Sequence, residues 1–448
     1  MRRQIDAGLL KRLRDELDKH SIKKEWVTYE CKLVTPMYGG GVNGGQVDKE
    51  MPIRASAIRG QLRFWWRIAC GPFNSPEDMF DRESAIWGGI GDKEAKASRV
   101  KIRVGNIKSN GEVAAFEYER NPKDCSKYKS VPKPDPKFGH AYTLFSAQGK
   151  LNKDKTIEEE APHKIAKPEL TFELDIHCQT YKDDKLTLEQ IKSEVKEAIR
   201  WWASFGGIGS RTRRGLGAVD VKNSDIKPVS ADEVTLKGGI LTLVSQNGKQ
   251  DPVACWQYGG DKLRDFRQGS HGRHYRKNEK TGKYSIPGRS FWPEADQLRH
   301  LTGKNADGKH LPKFKPDFIL PRAAFGMPIQ FQFPSEKNDP PKLNLTPKYS
   351  ERMASPLILR PYYDGEKWHA AALLLPEWKN VLQEILKLDV KDPVFKYKNT
   401  ELLSWPNEQQ EAERNRLVNT IEPMKQSNGE ARANDPLSAF LDYFKQGQ

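Results

Sequence analysis

Between Trp26 and Val221 the apolar residues change period in a fixed order, and few folds accept that order. Trp26 to Val34 alternates, is rich in β-formers and reads as a strand ended by Thr35-Pro36. A helix follows over about 57–70, with Ser56 as its N-cap and Gly71-Pro72 as its stop. Ile58, Leu62, Trp65, Ile68 and Ala69 share one face of it. A short helix or turn spans 77–87, and Arg99 to Val104 alternates as a second strand. Leu170 to Gln179 is a third strand, Leu186 to Phe205 a second helix and Leu216 to Val221 a fourth strand. Strand–helix–strand–strand–helix–strand is the order of the split βαβ arrangement.

Residues 105–168 interrupt that order. They are rich in Lys and Pro, with VPKPDPK at 131–137, and are expected to form an insertion with one hairpin, mobile in part. The second half starts over. Gly239 to Ser245 is a strand, and 261–289 is a basic stretch poor in aliphatic residues. A short helix is expected at 290–301, strands within 318–333 and 356–375, and helices at about 377–388, 407–420 and 436–446. The expected fold is α+β, with two ferredoxin-like (RRM-like, βαββαβ) domains in tandem. The first spans 1–232 with its insertion at about 105–168, and the second, divergent, spans 233–448 with C-terminal helices.

Charge narrows the class of partner. The 448 residues carry 75 Lys+Arg against 60 Asp+Glu, a net +15, which favours an anionic partner, above all nucleic acid. No run of about 18 apolar residues occurs, so no membrane span is expected. Residues 1–20 read as a charged amphipathic helix rather than a secretory signal. The five cysteines form no CxxC pair, which removes zinc-ribbon and thioredoxin-like sites. Their odd number fits reduced thiols and a cytoplasmic location. No metal and no cofactor are expected.

Three constellations carry the charge. Arg54, Arg59, Arg63 and Arg67 lie in a segment without an acidic residue, the last three at i, i+4 and i+8. Their planar forks suit phosphates, and Trp66, at the edge of the apolar face, could stack a base. FGGIGSRTRRGLGAV at 205–219 places five glycines and three arginines between a helix and a strand. Gly207 and Gly209 would let the backbone approach an anion, with Arg211, Arg213 and Arg214 supplying charge. This is neither a phosphate-binding P-loop nor a dinucleotide fingerprint. In the stretch 261–289, Arg273, His274 and Arg276 form a further candidate RNA contact.

Catalytic signals are weak. The nine histidines show no HxxxH or HExxH spacing, and no Gly-x-Ser-x-Gly elbow occurs, so no catalytic residue is expected. His177, inside a strand, reads as a buried, satisfied histidine. One alternative is a metal-independent endoribonuclease processing precursor crRNA with His271 or His274 as acid and base. Another is a structural adaptor whose basic face meets acidic partner subunits.

TPMYGGG…MPIRASAIRGQLRFWWR (35–67), IWGG (86–89) and FGGIGSRTRRGLGAV (205–219) together resemble the RAMP superfamily of CRISPR-associated RNA-binding proteins. The paired tryptophans narrow the resemblance to the family of first-numbered subunits of the type III-B (Cmr) effector complex. SFWPEADQLRHLTG (290–303), PRAAFGMPIQFQF (321–333) and RMASPLILRP (352–361) resemble that family's second domain. The resemblance implies two ferredoxin-like domains and a non-catalytic role at the crRNA 3′-end side of a ribonucleoprotein, helping target RNA capture in antiviral defence. It implies crRNA and/or target single-stranded RNA and other Cmr-type subunits as partners, with cleavage left to those subunits. Two features depart from the family: the second half has no loop to match 205–219, and the insertion at 105–168 has no counterpart.

Overall fold

A computed structural model describes residues 25–42, 44–90, 95–122, 124–132, 138–181, 184–223, 225–245, 251–279, 282–305, 308, 310–333, 338–390 and 401–446. The helix expected at 1–20 lies outside the described residues. Helices and strands are mixed throughout, as an α+β chain requires.

Strand β1 (Val27–Leu33) buries Cys31 and Leu33 on one side. Helix α1 (Ala55–Cys70) follows, then α2 (Pro76–Trp87), capped by the Ser75 hydroxyl. Arg54, not Ser56, holds the N-cap position of α1, and its side chain makes no capping bond. Next come β2 (Val100–Lys108), β3 (Thr171–Cys178), α3 (Leu188–Phe205) and β4 (Val219–Lys222). A capping box of Thr187 and Gln190 opens α3, which tolerates the polar residues before it. The sheet order is β4-β1-β3-β2, antiparallel throughout, as a split βαβ unit demands. Ile58, Leu62 and Trp65 of α1 meet Ile191, Val195, Ile199 and Trp202 of α3 in the core over this sheet.

The insertion contains the expected hairpin and a second pairing that ties it to the fold. Phe116–Asn121 pairs with Asp124–Pro132, and Glu112–Ala114 pairs with Lys164–Ala166. Its Ala115, Phe116, Leu144, Ala147 and Ile165 share a small core with Tyr38 and Leu216 of the first half and Trp256 of the second. Other apolar residues of the insertion, Phe145 and Ile157, stay exposed.

The second half contains β5 (Ile240–Ser245), α4 (Pro252–Arg267), the hairpin β6 (Arg273–Lys277) with β7 (Tyr284–Ser290), and α5 (Glu294–Thr302). After these come β8 (Leu357–Tyr363), β9 (Trp368–Leu374), α6 (Glu411–Thr420) and α7 (Pro436–Lys445). The basic stretch at 261–289 is therefore the end of a helix and a hairpin, not one loop. The helix expected at 377–388 is a 3-10 turn, Trp378–Gln383, running into a strand, Ile385–Val390. That strand joins Ile329–Phe331, Leu343–Pro347 and Leu402–Leu403 in a peripheral four-stranded sheet.

The sheet β5-β9-β8 is antiparallel and covered on both faces. Ile358, Tyr362, Ala371 and Leu373 belong to the core of the first half. Their alternating neighbours Leu357, Leu359, Ala370, Ala372 and Leu374 belong to a core with α4 and α7. The two halves thus share one wall. The Tyr362 ring stacks on Phe205 at 5.7 Å, and its hydroxyl donates to the Val229 carbonyl at 2.8 Å. Arg360, 3% exposed, donates to the carbonyls of Gly206 at 2.7 Å and Val219 at 3.3 Å. Burial without a carboxylate bonded to it pulls the pKa of that guanidinium down to about 9.

Candidate nucleic-acid interface

The glycine-rich loop is zipped to the chain that follows β1. Ser210 N–H donates to the Tyr38 carbonyl, Gly217 N–H to Pro36, and Ala218 N–H to the Thr35 hydroxyl, all at 2.7–2.9 Å. The glycines serve this close approach. A Cβ on Gly217, at φ +64°, would sit 1.9 Å from the Ile208 carbonyl oxygen. Gly207 is buried, and a Cβ there would lie 2.8 Å from the Gly217 carbonyl. Of the two glycines expected to face a ligand, only Gly209 lines an opening.

That opening is a crevice of about 240 Å³ between the loop at 39–45, the first turns of α1 and residues 208–210. Gly40, Gly41, Gly44, Gly45 and Gly209 form its walls, with Arg54, Ala57 and Gln61 from the start of α1. The first turn of α1 holds no acidic residue and no side-chain cap, so its partial positive charge is unopposed there. Arg54 adds guanidinium donors, held by the Asp48 carboxylate at 3.0 Å, which offsets its charge. Exposed amide-rich backbone, a helix N-terminus and one arginine make a surface that accepts anions.

The arginine stripe differs from expectation. Its members are balanced by groups distant in sequence rather than by i±4 neighbours. The Glu83 carboxylate, buried on α2, accepts from Arg63 at 2.5 Å and from Arg67 at 2.7 and 2.9 Å. Burial pushes the Glu83 pKa up, the two arginines push it down further, and the net is below 4.5. Arg59 donates to the Ser98 hydroxyl at 2.7 Å and the Val100 carbonyl at 3.0 Å. Trp66 cannot stack a base. It is fully buried against Phe73, and its indole N–H donates to Glu194 at 2.9 Å. Only Arg67 of the three keeps a substantially exposed side chain, at 44%.

The loop arginines divide likewise. Arg211 is exposed and donates to the Ser146 hydroxyl at 3.0 Å. Arg213 donates to the Ser355 carbonyl, and Arg214 to the Phe325 and Leu357 carbonyls at 2.9 and 3.4 Å. Both are half-buried clamps onto the second half rather than free charges. Burial pulls the Arg214 pKa down to about 10.

Arg273, His274 and Arg276 lie together on β6, with Arg276 and His274 exposed. His271 is not placed for acid–base work. It stacks on Tyr443 at 4.4 Å and on Phe266 at 5.9 Å, with Nε2 at 3.3 Å from the Pro423 carbonyl. Burial lowers its pKa. His177 bonds the Glu25 carbonyl at 2.9 Å, the satisfied histidine expected there. Among the described residues no cluster of His, Cys, Asp and Glu suits a metal ion, and no helix is long and apolar enough to cross a membrane.

A split βαβ sheet, a glycine-rich loop behind its last helix and an arginine-bearing first helix place the first half in the α+β class. Residues 30–220 match the RAMP superfamily, the family that this stretch of the chain resembles. Among solved structures the chain is similar to Cmr1 from Pyrococcus furiosus in its apo form, at 14% identity over 85% of this chain and 94% of that one, with a TM-score of 0.39. It is also similar to a chain of a type III-B Cmr-beta complex bound to cognate target RNA, at 13% identity over 79% and 94%, with a TM-score of 0.40. Cmr6 from Pyrococcus furiosus is similar at 11% identity over 45% and 100%, with a TM-score of 0.22. No curated protein matches the chain.

Proposed function

We propose that this chain is a non-catalytic RNA-binding subunit of a type III-B CRISPR ribonucleoprotein, placed at the crRNA 3′-end side and helping to capture target RNA in antiviral defence. Its partners are crRNA and/or target single-stranded RNA and other Cmr-type subunits, in the cytoplasm. It consists of two ferredoxin-like units, 1–232 and 233–448. In the second, β5-β9-β8 corresponds to three of the four strands.

The observation that carries this reading is the crevice at the start of α1. A phosphodiester there meets the N-terminus of a 16-residue helix, the Arg54 guanidinium and backbone unshielded by side chains at Gly40, Gly41 and Gly209. Arg211, two residues beyond Gly209, and Arg67, further along α1, extend the basic path on either side. Contacts of this kind hold phosphates and leave bases unread, so binding is strong and weakly dependent on sequence.

Gly44→Glu tests the path. Gly44 is exposed, its added Cβ would touch nothing, and its backbone is ordinary for an L-residue, so the fold tolerates the change. A carboxylate about 7 Å from a bound phosphate costs roughly 1 kcal/mol at an effective dielectric near 40, a five- to tenfold loss of affinity. Wild-type affinity for single-stranded RNA should fall with salt with a slope of about −0.7 per phosphate contact. Undiminished affinity in the variant, or a flat salt response, overturns the reading.

A further inference from the structure

The second half contains a cavity of about 760 Å³ enclosed by the β6–β7 hairpin, the end of α4, α5 and the strand Ile329–Phe331. Six arginines line it: Arg267, Arg273, Arg276, Arg289, Arg299 and Arg322. They come from five elements, Arg273 and Arg276 both from β6, so the sequence shows no cluster of six. Three buried carboxylates offset part of this charge. Asp296 pairs with Arg289 at 2.5 Å and Arg299 at 3.3 Å, Glu294 with Arg322 at 3.0 Å, and Asp339 with Arg299 at 3.5 Å. Arg267, Arg273 and Arg276 have no carboxylate within ion-pair distance among the described residues. An excess of three positive charges therefore faces the cavity.

Donors are in excess too. Arg267 gives Nη1 to the Tyr142 hydroxyl at 2.9 Å, yet its Nε is buried with no acceptor. The Nε atoms of Arg273 and Arg299 are buried and unpaired in the same wall. One unpaired buried donor costs about 1–3 kcal/mol, more on a charged group, and folded proteins rarely keep several together. Burial depresses the Arg273 pKa, and the nearby Arg322 depresses it further. Aromatic rings hold the forks in place: Phe333 lies 5.2 Å from Arg299, and Phe331 5.8 Å from Arg322. One buried acceptor, Asp339 Oδ2, is also unpaired beside Arg299, so the recess is electropositive with three unpaired buried donors against one acceptor.

We propose that this cavity holds a phosphate monoester, the terminal phosphate of a free nucleotide or of an RNA strand. A carboxylate offers two oxygens in one plane. A terminal phosphate offers three, directed apart, and so reaches guanidinium groups that converge from the hairpin, α4 and α5. Its near-double negative charge fits the excess of three. The volume falls within the range of about 300–1,000 Å³ common for small-ligand sites and accommodates a nucleotide as well as its phosphate. The site is separate from the crevice at α1 and does not depend on the function assigned to it.

Isothermal titration of the full chain with orthophosphate, AMP, adenosine, and one short RNA ending in a 3′-phosphate or a 3′-hydroxyl tests the proposal. AMP and orthophosphate should bind saturably and adenosine should not. Arg276→Gln, at an exposed position that the fold tolerates, should weaken AMP at least threefold, and Arg273→Gln at least tenfold. The phosphate-ended RNA binding more tightly than AMP assigns the strand end as the source, and the reverse order assigns the free nucleotide. Either order supports the site. Adenosine binding as well as AMP, or AMP affinity unchanged in both variants, overturns it. Gly44→Glu should leave AMP binding intact, which separates failure here from failure of the RNA path.

Discussion

Leu373→Ala perturbs the shared wall at its centre. Leu373 is 1% exposed on β9, with Leu241 on β5 and Ile358 on β8 as its cross-strand neighbours. Its side chain belongs to the first-half core although the residue lies in the second half. Truncating a buried leucine removes transfer free energy and leaves a cavity, a cost of about 2–5 kcal/mol. A cost of about 3 kcal/mol raises the exchange rate of fully protected amides by roughly a hundredfold, since each 1.4 kcal/mol is a factor of ten. The readout is hydrogen exchange by mass spectrometry on peptides covering α3 and β9. If the halves form one cooperative unit, α3 should lose protection together with β9, although α3 lies about 170 residues away in sequence. Faster exchange confined to β8 and β9, with α3 unchanged, would refute the shared core.

Other outcomes follow from single sites. Gly217→Ala forces a Cβ onto the Ile208 carbonyl at a positive φ, and should cost about 2–4 kcal/mol, read as a lower melting temperature; an unchanged transition would show the loop relaxing freely. Glu83→Gln should destabilise the chain by about 1–2 kcal/mol, less than a fully buried pair because Arg63 and Arg67 are 31% and 44% exposed, while RNA affinity should not fall. The folded pKa of Glu83 lies below 4.5, so its contribution is present above that pH and lost as pH drops through the folded value. The glutamine variant should lack that part of the acid sensitivity in denaturant titrations at pH 3 and pH 6. Cys125 is the exposed thiol among the five, and alkylation at pH 8 should reach it first. Burial raises Cys178 to about 11 and Cys70 and Cys255 to about 12. The unfolded chain therefore ionises first as pH passes 9, and stability should decline from there upward.

The first half was legible because its core elements each show one clear period. Strand β1 alternates, and α1 and α3 carry single apolar faces. Helix α4 was not expected: its last turns fell in the basic stretch at 261–289, and its middle carries Gly259 and Gly260. They sit mid-helix because a Cβ on Gly260 would lie 2.7 Å from the His140 ring, and one on Gly259 would lie 3.5 Å from Leu359. The strand Ile385–Val390 was read as helix because its apolar spacing suits either period over so short a run. The charged residues of the candidate site were legible, but not their partners. Glu83 reaches Arg63 from 20 residues away, and Phe325 reaches Arg214 from 111. Trp66 was assigned to the edge of the apolar face, and only the packing of α1 on α3 places Glu194 against its indole. The cavity of six arginines had no sequence signal beyond Arg273, His274 and Arg276, since the others are spread over 55 positions and four elements.

The wall shared by the two halves also sets a timetable for biosynthesis. Phe205 leaves the ribosome with the rest of α3, but Ile358 and Tyr362, which cover it, are about 150 residues behind, roughly 8–30 s at ordinary elongation rates of about 5–20 residues per second. For that interval Phe205, packed on Trp65 and Trp201, lacks the ring of Tyr362 that covers its other side. Slow codons before β8, or a chaperone in short supply, should therefore lower the soluble yield of this chain more than changes placed after β9.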